Sequence, residues 1–507
     1  MRYMLSKSKL RMVELVDFLY PQHDWLTIKE IADHFGCSER TIKKDLALIR
    51  NESQEIYTES SSEGIRLHVA ENHGIESFYR QIFANDYVYT LLEYLLIHGE
   101  TTIEKLSEDL FISVPTLYRL THQANETLSR NFEVKIQTSP FSLVGNEKTI
   151  RFIIAQYYTE AYPSYQWPFE YLDEHFLEEF LIFLSHHCQI KLTFADLRAL
   201  KLSTAVYLYR HFDQHIANWH IDQDKSDDYY HSLMMDYRFR NLQAEFEQRY
   251  QITFNQKTFE DLFGPYLNPL YFLSFRDWQQ ERKYSPLAEK SYQFLSHWLT
   301  DLARQFEIPL ENKDLIMLKL HNTLQTEGIE TRAIFLMSNR KQQFCQLIKD
   351  KDLEFYHKVH QGILEYRQLF HKNDNIQIVY HMIYLVYITW TNLFTHLANR
   401  KKPINALILS DFDQGHTLLI QNIIDHHFAN RLVTHAYQSL DIKESILQKY
   451  DIIIANFHIP HTNHPRIICV DCVPTKSDLV WVNQMIEQVH EERDKEVKAQ
   501  NFFPIIE

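Results

Sequence analysis

Apolar positions in the stretch "TIKEIADHFGCSERTIKKDLALIR" (residues 27–50) fall at Ile28, Ile31, Phe35, Ile42 and Leu46. With Ile28 counted as one, Ala32 is fifth, Gly36 ninth and Ile42 fifteenth, the spacing of a helix-turn-helix. A small residue at five and glycine at nine let two helices cross closely at a short turn. Ser38 is placed to cap the second helix. Two β-prone runs around a polar, glycine-containing turn follow in "EIYTESSSEGIRLHV" (55–69), which predicts a hairpin wing.

The pattern repeats 75 positions later. Ile103, Leu106, Leu110, Ser113, Thr116 and Leu117 match Ile28, Ile31, Phe35, Ser38, Thr41 and Ile42 in order and without a gap. A second wing is expected in "FEVKIQTSPFSLVG" (132–145). Ser107 and Phe111 replace Ala32 and Gly36, which predicts weaker turn chemistry in this copy.

Residues 150 to about 400 keep a helical period with few Gly or Pro, and weak linker signals divide them near 283. Leu202, Val206, Tyr209, Phe212 and Ile216 predict one helix face, with His211 and His215 opposite and accessible. Ile383, Val386, Tyr387, Trp390, Phe394 and Leu397 predict another, with His396 off the stripe. Beyond 404 come four short β-rich runs, at 405–410, 431–437, 450–457 and 465–473, with a long helical stretch at 475–499. That pattern predicts a small parallel α/β sheet. The fold class is therefore multidomain and mainly α. Its expected parts are winged units at 1–72 and 73–160, helical domains at 161–283 and 284–402, and an α/β domain at 403–507.

Charge changes the picture locally. The 507-residue chain carries a formal charge of −15, so any nucleic-acid contact must be confined to one region. The first predicted recognition helix offers Glu39, Arg40, Thr41, Lys43 and Lys44 outward, with Ser38 at its start and Arg66 on the wing. The second copy offers Thr116, Tyr118, Arg119 and His122. Basic and hydroxyl groups there suit phosphate and base-edge contacts, so double-stranded DNA is the expected partner. Five sparse cysteines without a leading signal peptide suggest a reducing cytoplasm, and the most apolar run, 382–390, is too short to cross a membrane. No phosphate loop, nucleophile elbow or zinc-protease motif occurs, so no catalysis and no cofactor are expected. The Cys469–Cys472 pair is read as lying within an apolar strand, and His458, His461 and His464 as a solvated loop; no metal site is assigned.

The order of parts resembles the Mga/AtxA-type transcription regulators of Gram-positive bacteria. The resemblance rests on the paired winged helices and on "SLVGNEKTIRFIIAQYY" (142–158), with Leu143, Gly145, Glu147, Ile150 and Arg151 in an L-x-G-x-E-x-x-I-R pattern. It implies two helical regulation domains sensitive to the sugar phosphotransferase system, a C-terminal domain like a phosphotransferase IIB subunit, and homodimers or larger assemblies. It also implies phosphorylatable histidines, with the phosphocarrier protein as partner; His215 and His396 match best, followed by His211 and His321. The loop after the first C-terminal strand, "SDFDQGHT" (410–417), lacks the phosphorylated Cys of IIB subunits and carries Asp411 and Asp413, so an interaction role is expected there. The rival readings are a plasmid replication initiator with paired winged helices, and a phosphotransferase-system scaffold without DNA binding.

Overall fold

The computed structural model describes residues 2–501, apart from 23, 53–54, 327–334, 338, 373–374, 401, 430 and 440. Residues 502–507 of the last expected domain lie outside the described residues. The chain divides into two compact units, Met1–Leu302 with Asn312–Trp390, and Ala303–Glu311 with Thr391–Glu507.

The first unit opens with α1 (Lys7–Leu19), α2 (Ile28–His34), α3 (Glu39–Glu52), β1 (Ile56–Ser61) and β2 (Gly64–Val69). Each start has a local cause. Ser6 accepts from Lys9 N–H at α1, and Thr27 and Glu30 close a capping box at α2. Met12, Val16, Ile31, Ile42, Leu46 and Ile49 are buried together, so the predicted inward positions form the core. The second winged unit follows as α4 (Glu76–Ala84), α5 (Tyr87–His98), α6 (Ile103–Leu110), α7 (Val114–Phe132), β3 (Val134–Thr138) and β4 (Phe141–Gly145). Both hairpins are antiparallel.

The helical region continues with α8 (Glu147–Ala161), α9 (Glu174–His187), α10 (Phe194–Phe212), α11 (Gln223–Met235), α12 (Tyr237–Tyr250) and α13 (Gln256–Phe263). Then come α14 (Phe275–Glu281), α15 (Pro286–Gln305), α16 (Lys313–Gln325), α17 (Arg340–Lys351), α18 (Leu353–Leu369) and α19 (Ile376–Thr389). Two expected helix faces are cut short. α10 stops at Phe212, because Gln214 takes a left-handed φ of 62°. His215 and Ile216 therefore lie beyond the helix, and Ile216 is exposed rather than packed. α19 stops at Thr389, and Asn392 at φ 53° redirects the chain before α20 (Leu393–Arg400). Phe394 accordingly leaves the apolar face and is exposed.

The second unit carries β5 (Ile404–Leu409), α21 (Gln414–Phe428), β6 (Leu432–Ala436), α22 (Glu444–Leu447), β7 (Ile452–Ala455), β8 (Ile467–Cys469) and α23 (Lys476–Asn501). The strands run parallel in the order β6-β5-β7-β8. Strand alternation divides its core. Ala406, Ile408, Ile452 and Ile454 pack with Ile420, Ile424, Val482 and Ile486 on one face. Leu407, Leu409, Ile453 and Ala455 pack with Leu447 and Ile459 on the other. The unit reaches back beyond residue 403: the Arg400 guanidinium stacks over Phe306 at 4.4 Å. Cys469 ends β8 and Cys472 follows it. Both thiols are exposed, so the pair does not lie within the strand as expected. His464 is buried and bound to the Tyr450 carbonyl, and among the described residues no cluster suits a metal ion.

Candidate nucleic-acid interface

The two winged units repeat down to single hydrogen bonds. Leu26 and Ile65 exchange backbone bonds of 3.0 and 2.8 Å, and so do Thr101 and Phe141, Thr101 standing 75 positions after Leu26. Thr27 caps α2 as Thr102 caps α6. Cys37 N–H donates to Ala32 O at 3.0 Å, and Ile112 N–H to Ser107 O at 3.2 Å. Ser38 meets the Thr41 hydroxyl at 2.8 Å and Ser113 meets that of Thr116 at 2.9 Å. Ser38 also accepts Thr41 N–H at 3.2 Å, the predicted cap.

Turn chemistry in the second copy is built differently. Phe111 takes φ 53° where Gly36 has 59°, at the steric cost a side chain bears in the left-handed region. The Ser107 hydroxyl donates to the Ile112 carbonyl at 2.7 Å and closes the turn that alanine leaves open in the first copy.

The reading face of α3 stands clear. Glu39, Arg40, Lys43 and Lys44 are exposed and Thr41 is half-buried, whereas Ile42 and Leu46 are buried beneath them. Lys43 stays loosely near Glu39 at 4.0 Å. Asp45 is not on that face. It is fully buried and held by Arg11 of α1 at 2.5 and 3.1 Å, so it anchors the recognition helix to its support. Arg50, near the end of α3, reaches the Thr58 carbonyl and hydroxyl of β1. Arg66 is half-buried with its guanidinium 4.8 Å from the centre of the Trp25 ring. On α7, Tyr118, Arg119 and His122 are exposed and Thr116 is half-buried. Lys29 on α2 and Lys135 on β3 are also exposed cations; neither stands at a recognition-helix position, and so the spacing did not single them out.

Behind the second wing lies a buried ionic network that explains the L-x-G-x-E-x-x-I-R stretch. Gly145 has φ 149°, and a Cβ there would stand 2.7 Å from the Glu133 carbonyl. Leu143 and Ile150 are buried. Glu147 receives Arg151 at 3.2 Å and Arg210 at 2.8 and 2.6 Å. Arg151, fully buried, also donates to Asp261 Oδ2 and the Asp261 carbonyl, both at 2.9 Å, and to the His215 carbonyl at 2.7 Å. Asp261 Oδ2 holds His211 Nδ1 at 2.7 Å, and Oδ1 accepts Ala217 N–H. Burial raises the Asp261 carboxyl, but His211, Arg151 and Ala217 more than offset it and leave it below its ordinary value.

The histidines separate by environment. His211 is not the open imidazole expected: its side chain is 14% exposed, with one nitrogen bound to Asp261. His215 is half-buried past the helix end. His396 is half-buried, and its Nε2 is enclosed without a hydrogen-bond partner. His321 is fully buried against the rings of Trp278 and Phe272, which removes it from any phosphoryl donor. Its Nε2 donates to the Leu270 carbonyl and its Nδ1 accepts from Ser291, both at 2.7 Å; burial lowers its pKa to about 4.

Comparison with known proteins agrees with this geometry. A helix-turn-helix domain model matches residues 11–66, and the Mga helix-turn-helix domain matches 71–158. The PRD domain of the M protein trans-acting positive regulator matches 173–393. A protein of Streptococcus pneumoniae serotype 4, provisionally named a trans-acting regulator, is 26% identical over 96% of this chain and 99% of its own length. The capsule synthesis positive regulator AcpA of Bacillus anthracis is 21% identical over 45% of this chain and 48% of its own. The anthrax toxin expression trans-acting positive regulator of that organism is 24% identical over 34% and 36%. Two phased winged helices with a solvated basic reading face, joined to a matching regulation region, show that this chain is a DNA-binding transcription regulator and belongs to the Mga/AtxA-type family.

Proposed function

We propose that the chain activates transcription by laying both recognition helices, α3 and α7, on one duplex, and that the regulation domains tune this through histidine phosphorylation. The observation that carries the reading is the phase of the two winged units, which share the backbone pairing of Leu26 with Ile65 and of Thr101 with Phe141. Ser38, Arg40, Thr41, Lys43, Lys44 and Arg66 then serve the first contact, and Thr116, Tyr118 and Arg119 the second. Glu39 restrains Lys43 and tunes non-specific affinity. The positive sign follows the names of the relatives.

Of the histidines, His211 has the most suitable chemistry. Asp261 fixes the Nδ1 proton and leaves Nε2 as the nucleophile for a phosphoryl group from the phosphocarrier protein. His215 and His396 follow it. The second unit serves assembly into a homodimer or larger form as a IIB-like domain. Its first loop is tied up by its own groups, with Asp413 capping α21 and His416 bridging Ser410 and the Cys472 carbonyl.

A low-salt gel shift with promoter fragments tests the reading. Retardation that is lost in Arg40→Ala/Lys43→Ala supports it. No retardation with any duplex points instead to a scaffold role, and effects confined to plasmid copy number point to a replication initiator. No helix among the described residues is long and apolar enough to cross a membrane.

A further inference from the structure

A chamber of about 300 Å³, open to solvent on one side, lies in the first regulation domain between α9, α10, α11 and α13, bordered by the 265–273 connection and by Thr326 after α16. Its wall is mainly aliphatic and aromatic, with Leu184, Leu200, Leu233 and Leu262 among the lining residues. Ligand sites begin at about this size.

Polar groups interrupt that wall, among them Thr204, Tyr207, Tyr266 and Tyr271. Ser185 and Ser203 donate to carbonyls of their own helices, at Ile182 and Ala199. Asp196 is spent on Thr193 at 2.7 and 3.0 Å in the cap of α10. Burial pushes the Cys188 thiol up to about 11 and the Tyr229 hydroxyl up to about 12, so both stay neutral near pH 7. Lys191 is exposed at the rim and has no ion-pair partner among the described residues. An apolar chamber with one unspent cation at its edge suits a tail with a single anionic head.

We propose that this chamber binds a linear monocarboxylate of the fatty-acid class, with the hydrocarbon tail among Leu184, Leu200, Leu233 and Leu262 and the carboxylate at Lys191. Such an occupant would touch α10, which carries His211, α13, which carries Asp261, and the connection into the second regulation domain.

Cys188 supplies the test, because it lies in the chamber wall while Cys469 and Cys472 are exposed elsewhere. The full chain is alkylated with N-ethylmaleimide at about pH 8.5, where a raised thiol still reacts slowly, with dodecanoate or dodecanol present below micelle formation. Each cysteine is followed by mass spectrometry. Dodecanoate is expected to slow Cys188 in a saturable manner and leave Cys469 and Cys472 unchanged. In Lys191→Ala, isothermal titration should show dodecanoate weakened about threefold to fivefold, the worth of an exposed ion pair. Dodecanol should be unchanged. Ser203→Phe, checked for folding by circular dichroism, should abolish both. No protection of Cys188 in the wild-type chain overturns the proposal, as does equal slowing of all three cysteines. An unchanged dodecanoate affinity in Lys191→Ala overturns the head-group assignment.

Discussion

Arg11 grips Asp45 from the helix behind, and this pair converts an acidic residue of the recognition helix into a structural one. Asp45 has no exposure, while the Arg11 side chain keeps about a quarter of its own. The two deletions are therefore unequal. Arg11→Met leaves a buried carboxylate uncompensated and should destabilise the first winged unit by about 3 kcal/mol. Asp45→Asn frees a guanidinium that can turn to water and should cost less. DNA affinity supplies the sharper reading. A carboxylate facing phosphate would raise affinity when neutralised, so Asp45→Asn should bind no more tightly than wild type, whereas Glu39→Gln should bind more tightly at low salt. Fluorescence anisotropy of a labelled promoter duplex measures both, and tighter binding by Asp45→Asn would contradict the anchor role.

The reading face makes a quantitative claim about salt. Each Lys or Arg that neutralises a phosphate contributes about 0.9 to the slope of log K against log salt. Arg40→Ala/Lys43→Ala should thus lower affinity strongly and flatten the slope by about 2 if both groups meet phosphate. Arg119→Ala should flatten it by about 1 if the second unit binds the same duplex. A slope unaffected by Arg119→Ala would confine the contact to α3.

The phased echo was legible because helix-turn-helix geometry is local: caps, a left-handed turn residue and apolar positions lie within 25 residues of one another. The four strands were legible for the same reason, as runs of Ile, Leu and Val that fill both faces of a parallel sheet. Other features depended on partners far along the chain. Arg151 meets Asp261 across 110 positions, and Arg11 meets Asp45 across 34; nothing beside either residue announces the pairing. The expected histidine faces failed at two left-handed residues, Gln214 and Asn392, neither of them glycine, so the period continued past the point where the backbone turned away. His321 shows the remaining blind spot. Nothing in its neighbouring residues announces the Trp278 and Phe272 rings that bury it, 43 and 49 positions back.

That burial gives His321 a measurable pH signature. Its folded pKa of about 4 is depressed from the ordinary histidine value of 6.5, so the unfolded chain binds the proton first. The stability tied to neutral His321 is whole above about pH 6.5 and falls as pH drops towards 4. The total loss is about 3 kcal/mol at 1.36 kcal/mol per pH unit. In His321→Gln this slope should vanish, whatever the cost of the substitution to absolute stability. Urea midpoints of both proteins at stepped pH check it; parallel curves would remove His321 as the titrating group.

Glu160, at the end of α8, accepts the backbone N–H groups of Leu336 at 2.6 Å and Met337 at 3.0 Å. Both side chains are buried in the same core as Met4, and Arg2 N–H donates to the Leu336 carbonyl at 3.0 Å. A short piece of the second regulation domain is thereby fastened to the N-terminal helices that carry the DNA-binding units. Hydrogen bonds to a charged group contribute about 1.5–3 kcal/mol each. Glu160→Ala should therefore speed amide exchange at Leu336 and Met337 by about tenfold or more, while exchange in β5 and β7 stays constant. If the fastening transmits regulation, the same variant should change promoter affinity although Glu160 lies outside both reading faces. Faster exchange with unchanged affinity would make it a structural tie only. Unchanged exchange would show that Leu336 and Met337 are held by their side chains and not by the carboxylate.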